Sequence, residues 1–113
     1  MKNKYGAKKT GCLHGHTHDS AREAKRCNEL HLLQMAGKIA GLRTQPEYWF
    51  VLDGKELKHP NGRRCGLKPD FDYLDNDTGR LIAEDSKGMR TEAFVLRAAL
   101  FRHCFPDIEL REV

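Results

Sequence analysis

The chain predicts an α/β domain whose mixed sheet is flanked by helices. Three observations carry this. A capping signal at Ser20 opens an amphipathic helix. Three strand-like runs follow, at 48–52, 67–74 and 81–85. A second helical stretch from Thr91 to about Cys104 then leads into an alternating run at 108–113. The expected order is helix, strand, strand, strand, helix, strand.

Residues 1–19 are rich in Lys, Gly and His and show no periodicity, so they read as an arm and a loop before a single domain at 20–113. Ser20 suits an N-cap, and Glu23 three positions on completes a capping box. Ala24, Cys27, Leu30 and Leu33 form a stripe at spacings of three, and Gly37 stops the helix near residue 36. Residues 39–46 read as a connection. Tyr48 to Leu52 is aromatic and β-branched, Asp53-Gly54 is a turn, and 55–66 reads as a hairpin extension or long loop. In 67–74, Phe71 and Tyr73 share one face while Asp70 and Asp72 share the other. A turn at 75–79 leads to the strand 81–85. Phe94, Val95, Ala98, Phe101 and Phe105 give the second helix apolar cover, and Pro106 stops it.

Bulk properties narrow the classes. At 113 residues, with 39% hydrophobic and 32% charged residues, the chain is one soluble globular domain. No apolar run approaches the roughly 18 residues of a membrane helix. The basic start, Met1 to Tyr5, has no following apolar segment, so a signal peptide is not expected and a cytosolic location is. The net charge of +4 and the pI near 9.0 fit a nucleic-acid partner. The basic residues cluster at Lys2, Lys4, Lys8 and Lys9, at Arg22, Lys25 and Arg26, and at Arg63 and Arg64. Solvated surface is the competing reading of each cluster. Cys12, Cys27, Cys65 and Cys104 are too widely spaced for paired CxxC knuckles, and in the cytosol they stay reduced.

Chemistry concentrates where Pro69-Asp70 is followed, fifteen positions after the Asp, by Asp85-Ser86-Lys87. Two carboxylates near the ends of neighbouring antiparallel strands can converge on one divalent cation, and oxygen ligands suit Mg²⁺. Lys87 lies two residues beyond Asp85 and so shares its strand face. An ammonium there can orient a water and oppose phosphate charge. The metal would stabilise developing negative charge and help generate hydroxide. Phosphodiester hydrolysis needs these parts. An ordinary pair of acidic surface strands is the alternative.

The ordered set of segments resembles a known family. Asp19 to Ala24, Glu29-Leu30, Ala36 to Ile39, Leu42 to Pro46, Pro69-Asp70-Phe71, Glu84 to Gly88, Thr91 and Arg97 together look like the short phage-encoded PD-(D/E)XK nucleases catalogued as a domain of unknown function, relatives of Holliday-junction resolvases. The resemblance spans residues 19 to about 113. It implies a restriction-endonuclease-like core, Mg²⁺ or Mn²⁺ as cofactor, and duplex or branched DNA as substrate in phage recombination or replication, in the host cytoplasm. Residue by residue it implies Glu23, Asp70, Asp85 and Lys87 as the active site, the first three holding the metal. Lys8, Lys9, Arg22, Arg26, Arg63, Arg64 and Arg97 are the expected DNA contacts. Glu84 competes with Asp85 for the acidic position, and strand alternation favours Asp85, which shares a face with Lys87. Glu23 carries two readings: cap of the first helix, or third carboxylate. The resemblance favours the second. A domain this small covers only part of a junction, so a two-fold dimer is expected.

A second metal site is conceivable in Cys12-Leu13-His14-Gly15-His16-Thr17-His18. Cys27 and His31 lie four apart on one helical face, and with Cys12 and either His16 or His18 they can make a tetrahedral zinc site. The alternative is that Cys27 is core and the histidines are a polar loop. Two non-catalytic functions therefore stand beside the nuclease: a DNA-binding module and a zinc-stabilised interaction protein.

Overall fold

The computed structural model describes residues 10–11, 17–18, 21–86 and 91–113. Its central sheet has four strands. In chain order the elements are β1 (Thr10–Gly11), β2 (Thr17–His18), α1 (Ala21–Met35), β3 (Ile39–Thr44), β4 (Tyr48–Trp49), β5 (Val51–Leu52), β6 (Lys55–Glu56), β7 (Gly66–Leu67), β8 (Phe71–Asp75), β9 (Leu81–Asp85), α2 (Glu92–Cys104) and β10 (Ile108–Glu112). The sheet order is β10-β9-β8-β3, with β10 parallel to β9 and the other pairs antiparallel. The expected mixed α/β architecture is therefore present.

Alternation along β8 and β9 sends side chains to two cores. Phe71, Tyr73 and Ile82 meet Cys27 and Leu30 of α1, with Ile39. Ala83, the next residue of β9, joins Phe94 and Phe101 of α2, together with Phe50 and Leu67. The sheet thus lies between the two helices. Each fully buried phenylalanine at 50, 71 and 101 contributes about 1.5–3 kcal/mol relative to exposure. Tyr48, Phe101 and Phe105 make a ring triangle with centroids 5.1–5.2 Å apart, two of the contacts being edge-on.

α1 buries Glu23, Ala24, Cys27 and Leu30, whereas Leu33 at the far end of the stripe is exposed. The helix closes with the Lys38 N–H on the Leu33 carbonyl at 2.9 Å. Thr91 caps α2 as expected, its hydroxyl accepting from the Phe94 N–H at 3.1 Å.

Three expectations change. Residues 39–44 are a central-sheet strand, not a connection. The register of β3 against β8 shifts between Ala40 and Arg43, where Gly41 takes φ +65°, and this bulge breaks the two-residue period that marks a strand. The strand expected at 48–52 is present as two short pieces, β4 and β5, but outside the four-stranded sheet, and 55–66 is the hairpin extension rather than a long loop. Residues 48–67 form a small insert of two strand pairs. β4 pairs with β7 and β5 with β6. Phe50 also donates to the Cys65 carbonyl (3.0 Å), and Cys65 donates to the Leu57 carbonyl (2.8 Å). Asp53 and Gly54 both have positive φ, which suits a two-residue hairpin turn. Thirdly, part of the expected arm is a short antiparallel hairpin, β1–β2, lying against α1. No helix among the described residues is long and apolar enough to cross a membrane.

Candidate active site

At the far end of the β8–β9 pair the last cross-strand partners are Phe71 and Glu84. One step outward the chain reaches Asp70 on one side and Asp85 on the other. The Ser86 N–H donates to Asp70 Oδ2 at 2.8 Å, joining the two halves of the motif through the backbone. Pro69 beneath it is buried, so the approach to Asp70 is fixed in the core. Glu23, in the first turn of α1, lines the same cleft of about 410 Å³ as Asp70 and Ser86. Arg22 and Lys25 stand exposed on its lip. Asp85 is completely buried. By strand alternation from Ala83 it belongs to the α2 side of the sheet.

Two neighbouring acids have other work. Glu84, 1% exposed, faces α1 and takes a two-pronged ion pair from Arg26, Nε–Oε1 2.6 Å and Nη2–Oε2 2.9 Å. The Tyr73 hydroxyl donates to Glu84 Oε2 at 2.7 Å. The hydrogen bond to Glu84 holds the Arg26 guanidinium charged well above its usual range, against a smaller opposing effect of burial. Burial first, then the Glu84 bond, pushes the Tyr73 phenol up to about 12. Asp72 is likewise gripped by Arg43, with Nε–Oδ1 at 2.9 Å, and accepts from the Tyr48 hydroxyl. These two Arg–acid–Tyr triads lie on opposite faces of the sheet and neutralise the acids they contain. Glu84 and Asp72 are thereby separated from Asp85 and Asp70, their neighbours in sequence.

The other expected residues divide as follows. Lys87 lies outside the described residues, as do Lys8, Lys9, Cys12 and His16 and the side chain of His18. Arg26, expected on DNA, is instead committed to Glu84 and, at 3.1 Å, to Glu29, because α1 places it over the buried Glu84 carboxylate. Arg63, Arg64 and Arg97 do not line the Glu23–Asp70 cleft; they line a second groove between the insert and α2. Cys27 is fully buried among apolar neighbours, and His31 is half-buried one turn later. Among the described residues no three His, Cys, Asp or Glu side chains are gathered as a ready metal cage.

Sequence reasoning missed the two groove residues Trp49 and Lys68 and the Arg43 partner of Asp72. The first two acquire meaning only from the pairing of β4 with β7, which sets Trp49 opposite Gly66. Arg43 was hidden by the bulge in β3. No curated protein and no solved structure matches the chain. Residues 2–113 match the family described as "Protein of unknown function (DUF1064)", and the chain belongs to that family.

Proposed function

We propose that the protein is a metal-dependent DNA endonuclease of the PD-(D/E)XK class, with a restriction-endonuclease-like core. The observation that carries the reading is the bond from the Ser86 N–H to Asp70, which holds the Pro69-Asp70 and Asp85-Ser86 segments together at the end of an antiparallel pair. The helix before the sheet adds Glu23 to the same cleft.

The donor set suits a hard cation. Glu23, Asp70 and Asp85 offer only carboxylate oxygens, and two of the three are buried, where a divalent cation offsets the cost of desolvated negative charge. These residues would hold Mg²⁺ or Mn²⁺, which supplies charge stabilisation at the phosphate and a more acidic water. The chain's own part is positional. Ser86 orients Asp70, and the Arg26–Glu84 pair holds α1, and with it Glu23, against β9. Lys87 enters on its spacing from Asp85, as the group that orients the attacking water. Arg22 and Lys25 on the lip suit the phosphates of an incoming strand.

The test is cleavage of branched, duplex and single-stranded DNA with and without Mg²⁺. Wild-type protein cuts only with the metal. Asp70→Asn loses cleavage and keeps its affinity for DNA in EDTA. Full cleavage by Asp70→Asn sinks the assignment. Binding without any cleavage by the wild type leaves the non-catalytic DNA-binding module instead.

A further inference from the structure

We propose that the groove between the insert and α2 binds a single-stranded segment of DNA, a reading that rests on DNA being the substrate and names its form. The groove encloses about 1070 Å³. Its rim carries Arg63, Arg64, Lys68 and Arg97, and among the described residues no Asp or Glu lines it. Lys68 lies 3.9 Å from Glu47, an exposed contact worth little against a phosphate. None of the three arginines has a carboxylate partner among the described residues. Such a rim complements a polyanion.

The floor decides which polyanion. Trp49 lines it and carries the Arg64 guanidinium over its ring, 4.2 Å from the centroid, so that the plane offered to a base is a guanidinium backed by the indole. Leu96 also lines the groove, 64% exposed, a large apolar side chain that the fold leaves uncovered. In duplex DNA the base faces are stacked on one another and cannot reach a recessed apolar floor. Unpaired bases can, and they stack on aromatic side chains with little regard to sequence while Arg and Lys follow the backbone. An acidic peptide would satisfy the rim but has no flat face to stack on the Arg64–Trp49 pair.

The groove is also well placed. Lys68 lies on its rim, and Asp70, two residues on, lines the acidic cleft. Two residues of extended chain span about 7 Å. A strand held in the groove is therefore delivered beside the proposed catalytic carboxylates, as a flap or an unpaired arm beside a branch point would be.

The chain has one tryptophan, so its intrinsic fluorescence reports on the groove. Wild-type protein in EDTA is titrated with oligothymidylate, with blunt duplex of equal nucleotide number, and with polyglutamate. Oligothymidylate quenches the emission and binds at least about tenfold more tightly than duplex, with an affinity that falls linearly in log–log form as salt rises. Arg64→Ala and Arg97→Ala, both at exposed positions, each weaken oligothymidylate binding at least about threefold with unchanged circular dichroism, on loss of one phosphate contact each. Duplex binding as tight as oligothymidylate, quenching by polyglutamate at matched salt, or indifference to both substitutions overturns the proposal. The measurement needs no turnover. Quenching without any nuclease activity sinks the catalytic reading and keeps the groove, and cleavage without quenching does the reverse.

Discussion

Arg26 on α1 reaches across to β9 and grips both oxygens of the Glu84 carboxylate, at 2.6 and 2.9 Å. The two residues are 58 positions apart in sequence, and Glu84 is almost fully buried. A carboxylate so placed is tolerable only with its cation, because desolvation of an unpaired charge outweighs most single contacts. Arg26→Ala is therefore expected to destabilise the fold by about 3–5 kcal/mol. Glu84→Gln removes the charge but keeps a group that can bond Arg26 and Tyr73, and costs about 1 kcal/mol. Denaturant midpoints of the two variants check the asymmetry. Equal losses would mean that the pair is no more than a surface contact.

Glu23 separates capping from catalysis. It is buried in the first turn of α1 and lines the cleft with Asp70. Glu23→Gln keeps an oxygen that can cap the helix and removes the negative charge. If the carboxylate serves the metal, Mg²⁺-dependent cleavage falls at least about a hundredfold, the order expected when a group essential to transition-state charge is lost. The melting temperature stays close to wild type. Full activity of the Gln variant would return Glu23 to helix capping.

The motif was legible in sequence for a physical reason. Side chains on a strand alternate, so Phe71 and Tyr73 had to separate from Asp70 and Asp72, and Asp85 from Glu84. The structure keeps this within the strands: Phe71 and Tyr73 are in the α1-side core, Asp72 is bonded to Tyr48 on the other face, and Glu84 turns toward α1. What alternation cannot report is pairing at a distance. Arg26 looked like a phosphate contact because its neighbours Arg22 and Lys25 are also basic, yet its partner is on β9. β3 was invisible because its bulge breaks the period. The place of the insert outside the central sheet was unreadable because Tyr48 to Leu52 is aromatic and β-branched, a composition shared by central and peripheral strands alike.

Gly66 is expected to tolerate no side chain. A Cβ built there would lie 2.3 Å from the Tyr48 carbonyl oxygen and 2.8 Å from Trp49 Cε3. The first is backbone and cannot yield without parting β4 from β7. Gly66→Ala should cost about 1–3 kcal/mol, the usual range for overpacking. It should also shift the tryptophan emission, since the ring must move as well. Gly66→Ala protein with wild-type stability and an unchanged spectrum would mean that the two strands can separate cheaply. The proposed groove would then have a soft wall.

The two tyrosines predict an alkaline limit to stability. Burial, then the bond to Glu84, pushes Tyr73 up to about 12, and burial, then the bond to Asp72, does the same to Tyr48. An unfolded phenol ionises near 10. A raised folded-state value means that the folded chain holds its phenolic protons more tightly than the unfolded chain does. The associated stability is complete below pH 10 and is lost as pH rises through about 12. Phenolate absorbance of native protein should therefore show Tyr48 and Tyr73 ionising late, together with the loss of circular dichroism. In urea all three tyrosines of the chain titrate near the unfolded value. Tyr73→Phe should remove one late phenol and flatten the fall of stability between pH 10 and about 12, because Phe has no proton to lose. It should lower stability at neutral pH by about 1.5–3 kcal/mol through the lost bond to a charged group. A native Tyr73 that ionises near 10 would mean that its hydroxyl does not donate to Glu84, and the Arg26–Glu84 pair would then carry the α1–β9 contact without it.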